Sequence, residues 1–181
     1  ALFSYKWEVA DIITGPYTEE ATTQHYAPSF LEESKFYRRV YYSGIHDACR
    51  DTTNILTVEV LPLINNNQLV ASDDTMVCQL DALPGDGIAG LLPGGGREGI
   101  YTYIWQVSDD KTIWGDSATF SANDPFNLAS FPAESYIRRL VKSGEDDVCQ
   151  DTSEFVTVYV VPAITDNTIS TADFTICQDI E

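Results

Sequence analysis

The chain repeats itself. FYRRVYYSG at 36–44 returns as YIRRLVKSG at 136–144, and three further blocks keep the same order around it. YKWEV (5–9) returns as YIWQV (103–107), DACRDTTNILTVEVLPLI (47–64) as DVCQDTSEFVTVYVVPAI (147–164), and DTMVCQ (74–79) as DFTICQ (173–178), with an offset that stays between 98 and 100. Such a period constrains the fold more than composition does, because each copy must pack in the same way. The small slack in the offset falls between blocks, where loops accept insertions. The repeat divides the chain into residues 1–62, a copy lacking its opening strands; 63–162, a complete copy; and 163–181, the opening of a third. On this reading the chain is a piece of a longer array, or its ends need a neighbour.

Within each copy the pattern is that of strands. In VTVYV (156–160) the residues Val156, Val158 and Val160 share one face and Thr157 and Tyr159 the other; Leu56, Val58 and Val60 alternate with Thr57 and Glu59 in the same way. This period of two marks half-buried strands, with Val58 and Val158 as core positions. Tyr5, Trp7 and Val9 alternate with Lys6 and Glu8, and Tyr103, Trp105 and Val107 line up likewise, so Trp7 and Trp105 are expected to anchor the two cores. Each arginine doublet, Arg38-Arg39 and Arg138-Arg139, puts one guanidinium on each strand face. One of each pair is expected to lay its stem on the core and carry its charge to a carboxylate at the rim. The best approach to a helical pattern, SFLEESKFY (29–37), is short and runs into the arginine strand. Short strands with turns every 8–12 residues or so point to an all-β chain of tandem β-sandwiches, and the order of blocks is that of an immunoglobulin-like unit.

Charge narrows the partners. With 10 basic against 28 acidic residues the net charge is −18, which disfavours nucleic acid and anionic membrane surfaces. The longest apolar stretch, VTVYVV, is far short of the roughly 20 residues that cross a bilayer, so no membrane insertion is expected. Gly94–Gly96 lack the following lysine and helix of a nucleotide loop. The two histidines, His25 and His46, recur in neither copy and sit in no nucleophile motif, and no carboxylate pair flanks an obvious cleft, so the chain reads as non-enzymatic with no obligate cofactor. Asp146, Asp147 and Asp151 crowd one loop and are a candidate Ca²⁺ site, whereas the first copy offers only Asp47 and Asp51 there. The four cysteines, Cys49, Cys78, Cys149 and Cys177, lack zinc-site spacing and suggest disulfides in an oxidising compartment.

The combined pattern, with Tyr103-Ile104-Trp105-Gln106-Val107-Ser108, Arg138-Arg139 before Ser143-Gly144, and Cys149-Gln150-Asp151-Thr152-Ser153, resembles the tandem Ig-like/PKD-like repeats of large cell-surface adhesins of the Bacteroidota, including gliding-motility adhesins. The resemblance covers nearly the whole chain; the first copy departs from it by lacking a counterpart of Trp114 and by carrying His46 where Asp146 stands. It implies an extracellular, non-catalytic structural or spacer repeat of a surface adhesin or filament, with neighbouring repeats or identical chains as partners. Residues 173–181 would serve as donor if copies joined by strand addition. An Ig-like unit would join Cys78 to Cys149, leaving Cys49 and Cys177 to partners outside the fragment; the alternative joins Cys49 to Cys78 and Cys149 to Cys177. Either bond would add about 2–4 kcal/mol. Thr52, Thr75 and Ser117 follow aspartates in the manner of Bacteroidota O-glycosylation sites. The alternative function is a carbohydrate-binding accessory module of a secreted enzyme, with Trp114, Tyr101 or Tyr159 stacking on surface glycans.

Overall fold

The computed structural model describes residues 3–44, 49–71, 75–120 and 122–170. The chain is all-β, with one short 3-10 turn at Glu145–Asp147 and no α-helix among the described residues. The stretch before Lys35 is irregular rather than helical, and the chain from Lys35 is strand.

The first sheet holds β1 (Phe3–Ala10), β2 (Thr18–Ala21), β3 (Lys35–Ser43), β4 (Cys49–Thr52) and β5 (Leu56–Val58) in the order β2-β1-β3-β4, with β5 also paired to β3. All these pairings are antiparallel. After β6 (Leu69–Ala71), β7 (Met76–Cys78) and β8 (Ile88–Gly90) come β9 (Tyr101–Ser108), β10 (Gly115–Phe120), β11 (Ser135–Ser143), β12 (Cys149–Thr152) and β13 (Val156–Val161). These build a second sheet, β10-β9-β11-β13-β7, with β12 also on β11, while β6 and β8 form a separate antiparallel pair. The arrangement β2-β1-β3-(β4, β5) therefore recurs as β10-β9-β11-(β12, β13). One pairing has no counterpart in the first sheet among the described residues. Strand β7 runs parallel to β13, with Met76, Val77 and Cys78 opposite Tyr159, Val160 and Val161.

By contacts the chain divides into two compact units. One holds the residues up to Asn67 with Pro93–Thr102 and Val141–Asp151; the other holds Gln68–Leu92, Tyr103–Leu140 and the chain from Thr152. The second unit has the closed core. Val77, Leu83, Ile88, Trp105, Phe126, Phe131, Ile137 and Val158 form one buried cluster, with Trp105, Ile88, Phe131, Ile137 and Val158 fully inaccessible. Side chains of β8 and the 126–131 segment thus pack with those of β9, β11, β13 and β7 in one core. Burying apolar surface of this extent is the main stabilising term for such a unit.

The expected core positions separate on this point. Trp105 and Val158 are completely buried, whereas Trp7 and Val58 are only partly so. Leu56, read as inward-facing, is 56% exposed. The physical reason lies in the cover: the first copy has no described strands standing to its sheet as β7 and β8 stand to the second.

Candidate functional site

The repeated words of the sequence build one device twice. In the second copy Arg139 points inward and is fully buried. Its guanidinium lies 5.2 Å from the Tyr103 ring centre and 5.8 Å from that of Trp105, close enough for cation–π attraction. It donates through Nη2 to the Leu91 carbonyl at 2.8 Å and through Nη1 to the Asn123 side-chain oxygen. A Cβ at Gly90 would run into this guanidinium, which explains why a residue without a side chain stands there. Burial lowers the Arg139 pKa, with Tyr103 acting in the opposite sense. Sequence reasoning expected a carboxylate at the rim. Such a partner stands at Arg38, which bonds Glu8 in the first copy; the acceptors of Arg139 include a carbonyl and an amide, neutral groups that suit a buried guanidinium.

The neighbouring arginine turns the other way. Arg138 donates from Nε to Gln106 at 2.8 Å and lies 4.0 Å over the Trp114 ring. In the first copy Arg38 does the same work: it bonds Glu8 at 2.8 Å and 2.7 Å and lies 3.9 Å over Tyr17. Arg39 faces Tyr5 and Trp7 at 5.5 Å and 5.6 Å, and Trp7 packs 6.0 Å from Tyr26, as Trp105 stacks 5.3 Å from Phe126. The spacing in YxWxV and RR is thus legible: alternate residues of two paired strands supply the inner and outer arginine sites.

The two copies part at the acceptors. Arg39 reaches only the Gln24 carbonyl, at 3.1 Å, and its Nε is shielded from solvent yet has no partner among the described residues. Trp7 donates to the Thr23 carbonyl at 3.1 Å, whereas the buried Trp105 indole N–H has no partner among the described residues.

A second device lies in the first unit, where the segment Leu61–Asn67 is clasped. Gly96 donates to the Pro62 carbonyl at 2.8 Å, Asn65 and Gly94 exchange backbone bonds at 3.0 and 3.1 Å, and Asn67 donates to the Asp151 carbonyl at 3.1 Å. Arg97 pairs with Glu59 at 2.5 Å. Ser143, from the repeated SG, accepts from the Arg97 N–H and donates to the Ile100 carbonyl, both at 2.8 Å. At Gly95 φ is +74° and a Cβ would meet the Leu63 carbonyl, so glycine is required there. The glycine-rich loop is a clasp, and Ile64 beneath it is 8% exposed.

The other candidate positions are placed as follows. Cys49, Cys78 and Cys149 carry free thiols, so neither Cys78–Cys149 nor Cys49–Cys78 is bonded; Cys177 lies outside the described residues. Asp146 and Asp147 occupy left-handed backbone at φ +53° and +56°, and Asp147 lies 3.3 Å from the Lys142 ammonium. Among the described residues no three acidic, histidine or cysteine side chains gather as a metal site would require. Thr52 closes β4 and is exposed, Ser117 is exposed at a bulge of β10, and Thr75 is half-buried with its carbonyl held by the Tyr159 N–H at 2.8 Å. His25 is exposed; His46, Asp47 and Asp74 lie outside the described residues. Trp114 lies beneath Arg138, while Tyr159 is 50% exposed. One acid that sequence reasoning passed over is Asp110. Its carboxylate accepts the N–H groups of Ile113 and Thr112, both at 2.8 Å, and these bonds hold its pKa well below the usual carboxylate range.

No family model and no curated protein matches the chain.

Proposed function

We propose that the chain is a non-enzymatic structural module, made of Ig-like sandwiches in tandem, from an extracellular bacterial surface adhesin or filament. One observation carries this reading. Ile64, in the Pro62-Leu63-Ile64 segment after the first copy, is 8% exposed, whereas Ile164, its counterpart after the second, is 86% exposed. The first is covered by a glycine-rich loop that precedes a tryptophan strand; a further copy would cover the second in the same way. A segment clasped by the next copy transmits force and fixes spacing, and units stacked through such nearest-neighbour contacts are the basis of extended arrays. The recurring arginine–aromatic contacts serve packing, and the resemblance to Bacteroidota surface repeats points the same way.

Antibodies raised against the chain test the reading on the cells that make it. They are expected to label intact cells, and protease added outside should remove the antigen. Labelling that needs permeabilised cells overturns the proposal. A carbohydrate-binding role is favoured at one position only, the half-exposed ring of Tyr159 on β13; a glycan array with a Tyr159→Ala control reads it directly.

A further inference from the structure

We propose that the outer face of β11 and β13, with the turn between β9 and β10, binds a polysaccharide that carries carboxylates, a chain of uronic acids. Its sugar rings would lie on Phe155 and Tyr159 and its carboxylates on Lys111 and Arg138. The register sets these residues on one face. Tyr136 stands opposite Thr157, and Ile137 opposite Val156. Ile137 and Val158 belong to the core, so Tyr136, Arg138, Phe155, Thr157 and Tyr159 face away from it. On that face the rings form a row. Trp114 lies 6.3 Å from Phe155, and Phe155 meets Tyr136 edge-on at 5.6 Å. The Tyr136 hydroxyl donates to Glu134, and its pKa is raised first by that bond, then by burial, by the Glu134 charge and by Tyr159, the next ring along the row. Phe155 is 41% exposed and Tyr159 50%. Rings held half in water offer an apolar surface to the C–H face of a sugar.

The cations are set among these rings. Lys111 Nζ lies 4.3 Å from the Tyr136 ring centre and 5.4 Å from that of Phe155, and the Arg138 guanidinium lies 4.0 Å over Trp114. Among the described residues, ion pairs take up Lys6, Lys35, Arg38, Arg97 and Lys142, but neither Lys111 nor Arg138. Arg138 gives its Nε to the neutral Gln106. Nearby acids are engaged elsewhere: Asp110 by N–H groups of its own turn, Asp116 by the Gln106 amide at 2.7 Å, and Glu134 by Tyr136. Asp109, in the same turn as Lys111, is exposed. The first copy is built differently. Glu8 stands where Gln106 does and pairs with Arg38, Glu59 stands where Tyr159 does, and the loop 11–15 holds no basic residue. From the first copy to the second this face loses two carboxylates, while its turn gains Lys111 along with Asp110. The shared strand order requires none of these exchanges.

The backbone decides between a glycan and an acidic peptide. β11 is bonded to β9, β12 and β13, and β13 is bonded also to β7, so a peptide cannot join either as an added strand. A glycan needs no such edge, and its carboxylates suit a guanidinium and an ammonium. The inference rests on the glycan reading of Tyr159 and is independent of the array reading.

Isothermal titration calorimetry of the full chain with polygalacturonate, its methyl ester and polyglutamate tests it. Binding to polygalacturonate is expected, weakened by added salt, with affinity for the ester and for polyglutamate lower by about tenfold or more. Lys111→Gln and Arg138→Gln should each lower the affinity by about tenfold, and Phe155→Ala should lower it as well, while near-ultraviolet circular dichroism keeps the parent spectrum. Equal affinity for the ester, lost in Tyr159→Ala, keeps the glycan reading and overturns the preference for uronates. Equal affinity for polyglutamate makes the face a site for acidic peptides and overturns the proposal. So does an absence of binding to polygalacturonate, or binding that Lys111→Gln and Arg138→Gln leave unchanged.

Discussion

Between β4 and β5, and again between β12 and β13, a hydroxyl bridges a break in the strand. The Thr53 Oγ1 accepts the Arg39 N–H at 3.0 Å and donates to the Asn54 carbonyl at 2.8 Å; the Ser153 Oγ accepts the Arg139 N–H at 2.9 Å and donates to the Glu154 carbonyl at 2.7 Å. Both residues also donate their own N–H to the same arginine's carbonyl. Ser153→Ala leaves a buried backbone N–H without an acceptor and is expected to cost about 1–3 kcal/mol in urea unfolding, while Ser153→Thr should stay within about 0.5 kcal/mol. Asp110 gives a pH-dependent case. Its pKa is depressed in the folded chain, chiefly by the Ile113 N–H, so its contribution is complete above the unfolded value near 3.9 and is lost as pH falls through the folded value. The melting temperature of Asp110→Asn should therefore lie below the parent's by a constant margin at neutral pH, and the margin should narrow as pH drops below about 4. The DTT and DTS words were visible in the sequence, but not their use. A hydroxyl that accepts a neighbouring strand's N–H leaves no periodic trace.

At the scale of elements, the clasp on Leu61–Asn67 rests on glycines. Gly95→Val adds a Cβ against the Leu63 carbonyl at a positive φ, so the segment should come free. Limited proteolysis with chymotrypsin is expected to cut after Leu63 about tenfold faster in the variant, since local opening sets the rate. Equal cleavage of parent and variant would mean that the hydrogen bonds at Asn65 and Gly96 hold the segment without it. The valine ladders and tryptophan strands were readable from alternation alone, because a sheet face shows itself every second residue. The inner or outer choice within each arginine doublet was not, because both strand faces of the sequence are amphipathic there. The acceptors that decide it, Leu91 and Asn123, lie 48 and 16 residues away in the chain from Arg139.

Over the whole molecule, the contrast between Trp7 and Trp105 predicts unequal costs. Trp105→Phe empties part of a closed core and should destabilise by about 2 kcal/mol or more, whereas Trp7→Phe at its half-covered site should cost under about 1 kcal/mol. Thermal unfolding followed by near-ultraviolet circular dichroism checks both. The repeat foretold two alike modules, and their sheets are alike in strand order. Their degree of closure is not, because closure depends on which segments are at hand to cover a face. The doubled arginine has a last consequence. Side chains on a strand change sides with every residue, so a slip of β11 by one place would turn Arg139 outward and bring Arg138 to the interior, away from Gln106 and with Ile137 and Val141 cast into water. The doublet by itself would tolerate that slip, since an arginine would still face each side; the register is held by its apolar neighbours Ile137 and Val141, both fully buried in the correct alignment.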